Sequence, residues 1–301
     1  MNFLKVTFPV SGVTTWIFLP PLITFLLAFF GVMGGITGAF LLLPFQFSIL
    51  GYQTPGVSAT NLLYNLLTIP PALWRFRRER RFYAPLALLM LSGVIPGLFL
   101  GYLVRIHWLA SPQRFRLLVG VVLLYLCSRI LKDLRKGQRR GDPTRNASSI
   151  EYLPREGGYL RFRFGTTVYR IPILSTLILC LLVGTVSGAY GIGGGAILAP
   201  YLVSILRLPV HAVAGATLAS TFGASVCGVL FYTLGPGSGP LTRPDWALGL
   251  LFGLGGLAGA YLGARCQKYV PERPIKWGLF LATGLGALKY LWPYLLLLLK
   301  G

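Results

Sequence analysis

The chain has 301 residues, 54% of them hydrophobic and 12% charged, with a mean hydropathy of +0.69. Soluble domains carry about 25% charged residues, so a water-facing surface is excluded. Lys and Arg number 28 against 7 Asp and Glu, a net charge of +21; the basic residues stand in short clusters between apolar runs, which argues for positive-inside loops and against a nucleic-acid face.

The N-terminus, Lys5 followed by apolar residues, resembles a secretory signal only superficially. Its apolar stretch is far longer than the about 7–15 residues of such a signal and lacks a clear small-residue cleavage site, so it reads as a retained membrane segment. Apolar runs then follow at 13–50, 55–74, 83–106, 113–131, 171–206, 210–234, 245–264 and 275–299. A bilayer core needs about 20 residues per helix, so 13–50 and 171–206 are too long for one crossing. Each carries a glycine cluster near its middle: Gly31, Gly34, Gly35 and Gly38 in the first, Gly188, Gly191, Gly193, Gly194 and Gly195 in the second. Glycine weakens helix and lets the backbone turn. Each run is predicted to be two half-helices, with 31–38 and 188–195 non-helical and facing each other near the membrane centre across a pseudo-two-fold axis. Pro70 and Pro71 should end or kink the helix of the second run.

Residues 132–170 separate the halves. They begin with Lys132, Arg135, Lys136, Arg139 and Arg140, and 159–171 alternates enough for a short strand or hairpin. The halves repeat. A shift of 156 superimposes Gly35 on Gly191, Gly38 on Gly194, Pro44 on Pro200 and Leu50 on Leu206. A shift of 159 superimposes Gly97 on Gly256, Tyr102 on Tyr261, Pro112 on Pro271 and Arg114 on Arg273. The expected organisation is a first membrane repeat at 1–131, a cytoplasmic linker at 132–170 and a second membrane repeat at 171–301.

Charge sets the topology. Arg75, Arg77, Arg78, Arg80 and Arg81 make the densest basic loop, which should be cytoplasmic. Its counterpart in the second half, 235–244, has only Arg243; there the basic loop is 265–276, with Arg265, Lys268, Arg273 and Lys276. The bias is reversed between the halves. An all-α polytopic membrane protein of two inverted-topology repeats follows, each a broken helix segment plus three transmembrane helices, with both termini outside the cell inner membrane.

A broken membrane helix leaves N–H groups unpaired at the start of the half-helix after the break, and these favour a small anion. Gly34, Gly35, Thr37 and Gly38 in the first half, and Gly191, Gly193, Gly194 and Gly195 in the second, are the candidate backbone site. Tight helix packing is the other reading of any single glycine among them. Thr60, Asn61 and Asn65 on the second run, and Thr217, Ser220 and Thr221 in the matching region, can donate to oxyanion oxygens or hydrogen-bond between helices; both roles stay open. Asn61 and Asn65 share one helix face.

Gly191-Ile192-Gly193-Gly194-Gly195 with Pro200, followed by Ala214-Gly215-Ala216-Thr217-Leu218, resembles the sulfite exporter TauE/SafE family. The first half carries a second version, Gly34-Gly35-Ile36-Thr37-Gly38 with Pro44, then Ala59-Thr60-Asn61-Leu62, in which Thr37 stands where Gly193 stands in the other copy. The resemblance implies a membrane transporter of small inorganic or organic sulfur anions: sulfite, thiosulfate or organosulfonates.

Four scattered cysteines, no CxxC and two distant histidines suggest neither zinc nor a disulfide framework, and no cofactor is expected. The lack of a carboxylate or His-centred constellation argues against an intramembrane enzyme, and the lack of acidic residues deep in the apolar runs argues against a cation carrier. The same lack leaves no obvious proton relay, so potential-driven export is expected. Coupled uptake by protons or sodium and a non-transporting scaffold are the alternatives. Arg105, His107 and Arg129 read as ordinary helix-end residues, Cys227 as a packing cysteine, and Lys289 as either functional or reaching for the interface. The partners expected are the anion and the bilayer, and the oligomeric state is open.

Overall fold

The computed structural model describes residues 4–33, 38–78, 82–136, 150–208, 210–266 and 272–300. A short antiparallel hairpin, β1 (Lys5–Thr7) with β2 (Thr14–Trp16), precedes the first helix. The apolar run assigned from residue 13 thus starts as strand. Helix α1 (Leu19–Met33) has Pro20 and Pro21 in its first turn, where missing N–H groups cost nothing. Then come α2 (Ala39–Ser48), α3 (Gly56–Thr68), α4 (Pro70–Arg78), α5 (Ala84–His107) and α6 (Pro112–Lys136). Helices α3 and α4 part at Ile69, before Pro70.

A three-stranded antiparallel sheet follows, β3 (Ile150–Glu156), β4 (Tyr159–Phe164) and β5 (Thr167–Pro172). Gly157 and Gly158, at φ +55° and +81°, make its first turn. Phe162, Phe164 and Ile171 are buried and pack in one cluster with Tyr83, Leu86 and Met90 at the start of α5. The Tyr83 hydroxyl donates to Arg161 O at 2.9 Å and that of Tyr152 to Phe82 O at 3.0 Å. Burial, with Tyr152 beside it, raises the Tyr83 phenol above its ordinary pKa, so it stays a donor. Helix α6 continues to Lys136 and β5 to Pro172, so regular structure overruns both expected linker ends.

The second half contains α7 (Ile173–Tyr190), α8 (Gly195–Ser204), α9 (Val210–Leu234), α10 (Trp246–Cys266) and α11 (Glu272–Lys300). Among the described residues, five stretches are long and apolar enough to cross a membrane: α5, α7, and Val213–Leu234, Trp246–Gly263 and Arg273–Leu296 within α9, α10 and α11. Leu88, Leu100, Leu174, Leu182, Leu254 and Leu285 are 46–70% exposed on outer faces. In water that many exposed large apolar side chains would be untenable; facing lipid they are solvated.

Small residues let the helices approach closely. A Cβ on Gly97 or Gly101 of α5 would overlap the carbonyls of Leu181 or Thr185 of α7. The order of these contacts gives direction: α5 and α7 run the same way. So do α10 and α1, where Gly255, Gly259 and Gly263 rest on Pro21, Phe25 and Phe29, and α10 and α3, where Gly249 and Gly253 rest on Leu63 and Leu67. Helix α9 runs with α5, through Gly223 on Leu91 and Gly228 on Leu98. It runs against α3, since Leu62 meets Gly228 while Asn65 meets Ser225. Helices α6 and α11 also oppose each other, with Tyr294 beside Gln113 and Phe280 beside Cys127.

The interruption in the second long run is shorter than expected. Helix α7 persists through Tyr190 and α8 starts at Gly195, so only 191–194 are non-helical rather than 188–195. Likewise α1 holds residues 31–33, while 34–37 lie outside the described residues. A helical glycine costs about 1 kcal/mol. An unsatisfied backbone group in lipid costs several, so helix persists until positive φ makes it impossible.

Candidate functional site

The break between α7 and α8 is built by backbone sign. Gly191, Gly193 and Gly194 have φ of +91°, +77° and +86°, which L side chains rarely adopt. Gly191 N–H donates to Ser187 O at 2.6 Å and closes α7; Gly194 O accepts from Ile197 and Leu198 and opens α8. A Cβ on Gly191 would overlap the Ser58 backbone, and one on Gly193 or Gly195 would overlap Thr221. These three glycines are therefore needed for packing. Gly194 differs: its Cβ would meet only Leu198 and Val94, at 3.8 Å.

Side chains from neighbouring helices cover the carbonyls around the break. Asn61 Nδ2 donates to Gly191 O and to Ala39 O, both at 2.9 Å, and so ties α7's end to α2's start. Gln46 Nε2 donates to Asn61 Oδ1 at 3.3 Å and orients the amide. Asn65 Nδ2 reaches Ile192 O at 3.4 Å and Ser225 Oγ at 3.3 Å. Ser58 Oγ donates to Ala189 O at 2.8 Å, and the Tyr232 hydroxyl to Gly188 O at 2.9 Å. The Tyr190 hydroxyl bonds Phe40 O at 2.8 Å, a second tie between the halves.

The amides are treated differently. Gly195 N–H donates to Thr221 Oγ1 at 3.1 Å. The buried amides of Ile192, Gly193 and Gly194 have no hydrogen-bond partner among the described residues. With the carbonyls of Gly188, Ala189, Gly191 and Ile192 capped and the successive N–H groups of Ile192, Gly193 and Gly194 open, the break presents positive polarity, the arrangement that suits an anion.

The other sequence candidates fall in different places. Gly34, Gly35 and Thr37 lie outside the described residues. Gly38 opens α2 and packs on the α1 backbone at Leu27 and Ala28. Thr60 turns away from the break: its hydroxyl accepts from Asp245 N–H at 2.9 Å and donates to the Tyr52 hydroxyl at 3.4 Å. Thr217 donates back to Val213 O and Ala214 O of its own helix at 3.1 and 3.0 Å. Ser220 is buried, and its Oγ has no partner among the described residues. Lys289 is exposed on the outer face, and Cys227 is half-buried beside the α5–α9 cluster.

Two charged residues at the ends of apolar runs are deeply buried. Arg105 is 0% exposed rather than an ordinary helix-end residue, because Phe115 and the chain around Thr54 fold over it. Asp245, at the start of an apolar run, is 1% exposed because the N-terminal hairpin covers it: its carboxylate accepts from Ser11 N–H and Leu248 N–H, both at 3.0 Å. Gln46, Ser58, Ser225, Tyr190 and Tyr232 were also missed. Gln46 alone had a local signal, being one amide in an otherwise apolar α2.

Among the described residues, no group of three or more His, Cys, Asp or Glu could hold a metal ion. No curated protein and no solved structure matches the chain. The family model Sulfite exporter TauE/SafE matches residues 21–290, from α1 into α11. With that match over nearly the whole sequence, the chain belongs to the sulfite exporter TauE/SafE family.

Proposed function

We propose that the chain exports a small sulfur oxyanion or organosulfonate across the cell inner membrane, driven by the membrane potential, with the anion held at the α7–α8 break. Family membership implies a membrane transporter of sulfur anions. The observation that carries the site is the contrast in the break: neighbouring carbonyls are capped by Asn61, Asn65, Ser58 and Tyr232, while the amides of Ile192, Gly193 and Gly194 have no partner among the described residues. Thr221 supplies the neighbouring polar side chain, and the proposed site adds the buried, unpartnered Ser220 hydroxyl one residue before it in α9.

The proposed architecture is two inverted repeats. Helices α1, α3 and α10 share one direction and α5, α7 and α9 the other. Helix α1 is therefore opposed to its counterpart α7, and α3 to its counterpart α9. This supports a frame with 75–81, the linker and 265–276 in the cytoplasm, and both termini outside. Cysteines at 77 or 268 should resist impermeant thiol reagents added to intact cells.

The proposed driving force is the membrane potential. A potential of 100 mV, inside negative, supplies about 2.3 kcal/mol per exported charge without a coupling ion. The test is flux of labelled sulfite, thiosulfate and a small sulfonate in proteoliposomes. Saturable movement of at least one is expected; none above protein-free liposomes would overturn the assignment.

A further inference from the structure

Arg105 is a fully buried side chain near the end of α5. Nε donates to Ser58 Oγ at 3.4 Å, Nη2 to Thr54 O at 3.3 Å, and Nη1 to Leu109 O. The guanidinium lies over the Phe115 ring, 3.7 Å from its centre. Every one of these partners is neutral, and among the described residues no carboxylate forms an ion pair with it. The carbonyls at the helix end and the aromatic face offset part of the burial cost. They leave a positive charge without a counter-ion, and such a charge in a membrane protein is costly to keep.

Its position links two regions. Inward, Ser58, which accepts from Arg105, itself donates to Ala189 O, two residues before Gly191. The Ser58 backbone is also the surface against which Gly191 rests. Outward, Thr54 lines a cavity of about 580 Å³ together with Gln53, Ile106, His107 and Thr242. That cavity lies at the end of α5 opposite the β-sheet, which covers the start of the same helix.

We propose that Arg105 is a second anion-binding residue, which holds the sulfur oxyanion between the glycine break and the outer cavity, with the guanidinium as its counter-charge. The inference rests on the anion-transport reading above. A strut that merely pins the chain around Thr54 and Leu109 is the competing role.

Sulfite flux in proteoliposomes separates the two, comparing wild type with Arg105→Gln, Arg105→Lys and Ser58→Asp. Removing a charged contact should raise KM about tenfold or more in Arg105→Gln. Arg105→Lys keeps the charge but loses the planar fork and its stacking, so its KM should fall between those of wild type and Arg105→Gln. Ser58→Asp keeps the arginine but gives it an internal counter-ion, and its KM should rise as in Arg105→Gln. A KM within about twofold of wild type in Ser58→Asp overturns the proposal, whether or not Arg105→Gln inserts. A parallel titration follows thermal unfolding of the detergent-solubilised protein with sulfite. The expected result is a rise in midpoint for wild type that is lost in Ser58→Asp; equal rises overturn the proposal. If wild type moves none of the tested anions, the transport reading fails, and this titration still decides on Arg105.

Discussion

Helices α3 and α9 are related by the repeat shift in the sequence, yet they meet the break with different chemistry. Under the repeat shift Asn61 corresponds to Thr217 and Asn65 to Thr221. The asparagines have reach: each sends its amide across to carbonyls of another element, and Asn61 bridges α2 and the end of α7. The threonines bond back to their own helix, and only Thr221 also touches the break, as acceptor for Gly195 N–H. Side-chain length decides this, because a hydroxyl one bond from Cβ finds the i−4 carbonyl before any neighbouring helix. One polar helix is a clamp and the other a lining, although the sequence repeat presents them as equivalents.

The largest effect should come at the one break glycine with room beside it. Gly194→Leu meets no backbone, but it places a branched side chain at φ +86° next to the open amides. Sulfite flux should vanish while the protein remains in the membrane. Residual flux near the wild-type level would detach the site from this backbone.

The clamp-and-lining contrast is sharpened by a pair of substitutions followed by thermal unfolding in detergent. Asn61→Ala uncovers two buried carbonyls and should cost about 2–5 kcal/mol. Thr217→Val loses only bonds to its own helix and should cost less than about 1 kcal/mol. Equal losses would break the comparison. Thr221→Val stands between them: it leaves the Gly195 amide without its acceptor, for about 1–2 kcal/mol.

The smallest change in stability is expected at Ser220, whose hydroxyl has no partner among the described residues. Ser220→Ala should leave the unfolding midpoint within about 0.5 kcal/mol of wild type while sulfite flux falls several-fold. Unchanged flux would remove Ser220 from the site.

Much of this was legible in the sequence because it is written locally. Glycine clusters mark the break, Pro70 marks the end of α3, alternation marks the sheet, and basic clusters mark one set of loops. The i, i+4 spacing also put Asn61 and Asn65 on one face. What those amides bond was hidden, since Gly191 and Ile192 are about 130 residues away in the chain. Thr60 sits beside Asn61 in sequence, but one residue turns a helix by about 100° and sends it to Asp245 instead. Arg105 and Asp245 stand at the ends of apolar runs, where charge is ordinary. Their burial comes from the chain around Thr54 and from the N-terminal hairpin, which no local pattern around them announces.

If the anion leaves on the membrane potential through a site made of backbone amides, sulfite efflux from preloaded proteoliposomes at imposed potassium–valinomycin potentials, with no proton or sodium gradient, accelerates as the interior is made more negative. Efflux that ignores the potential and follows an imposed proton gradient would contradict this.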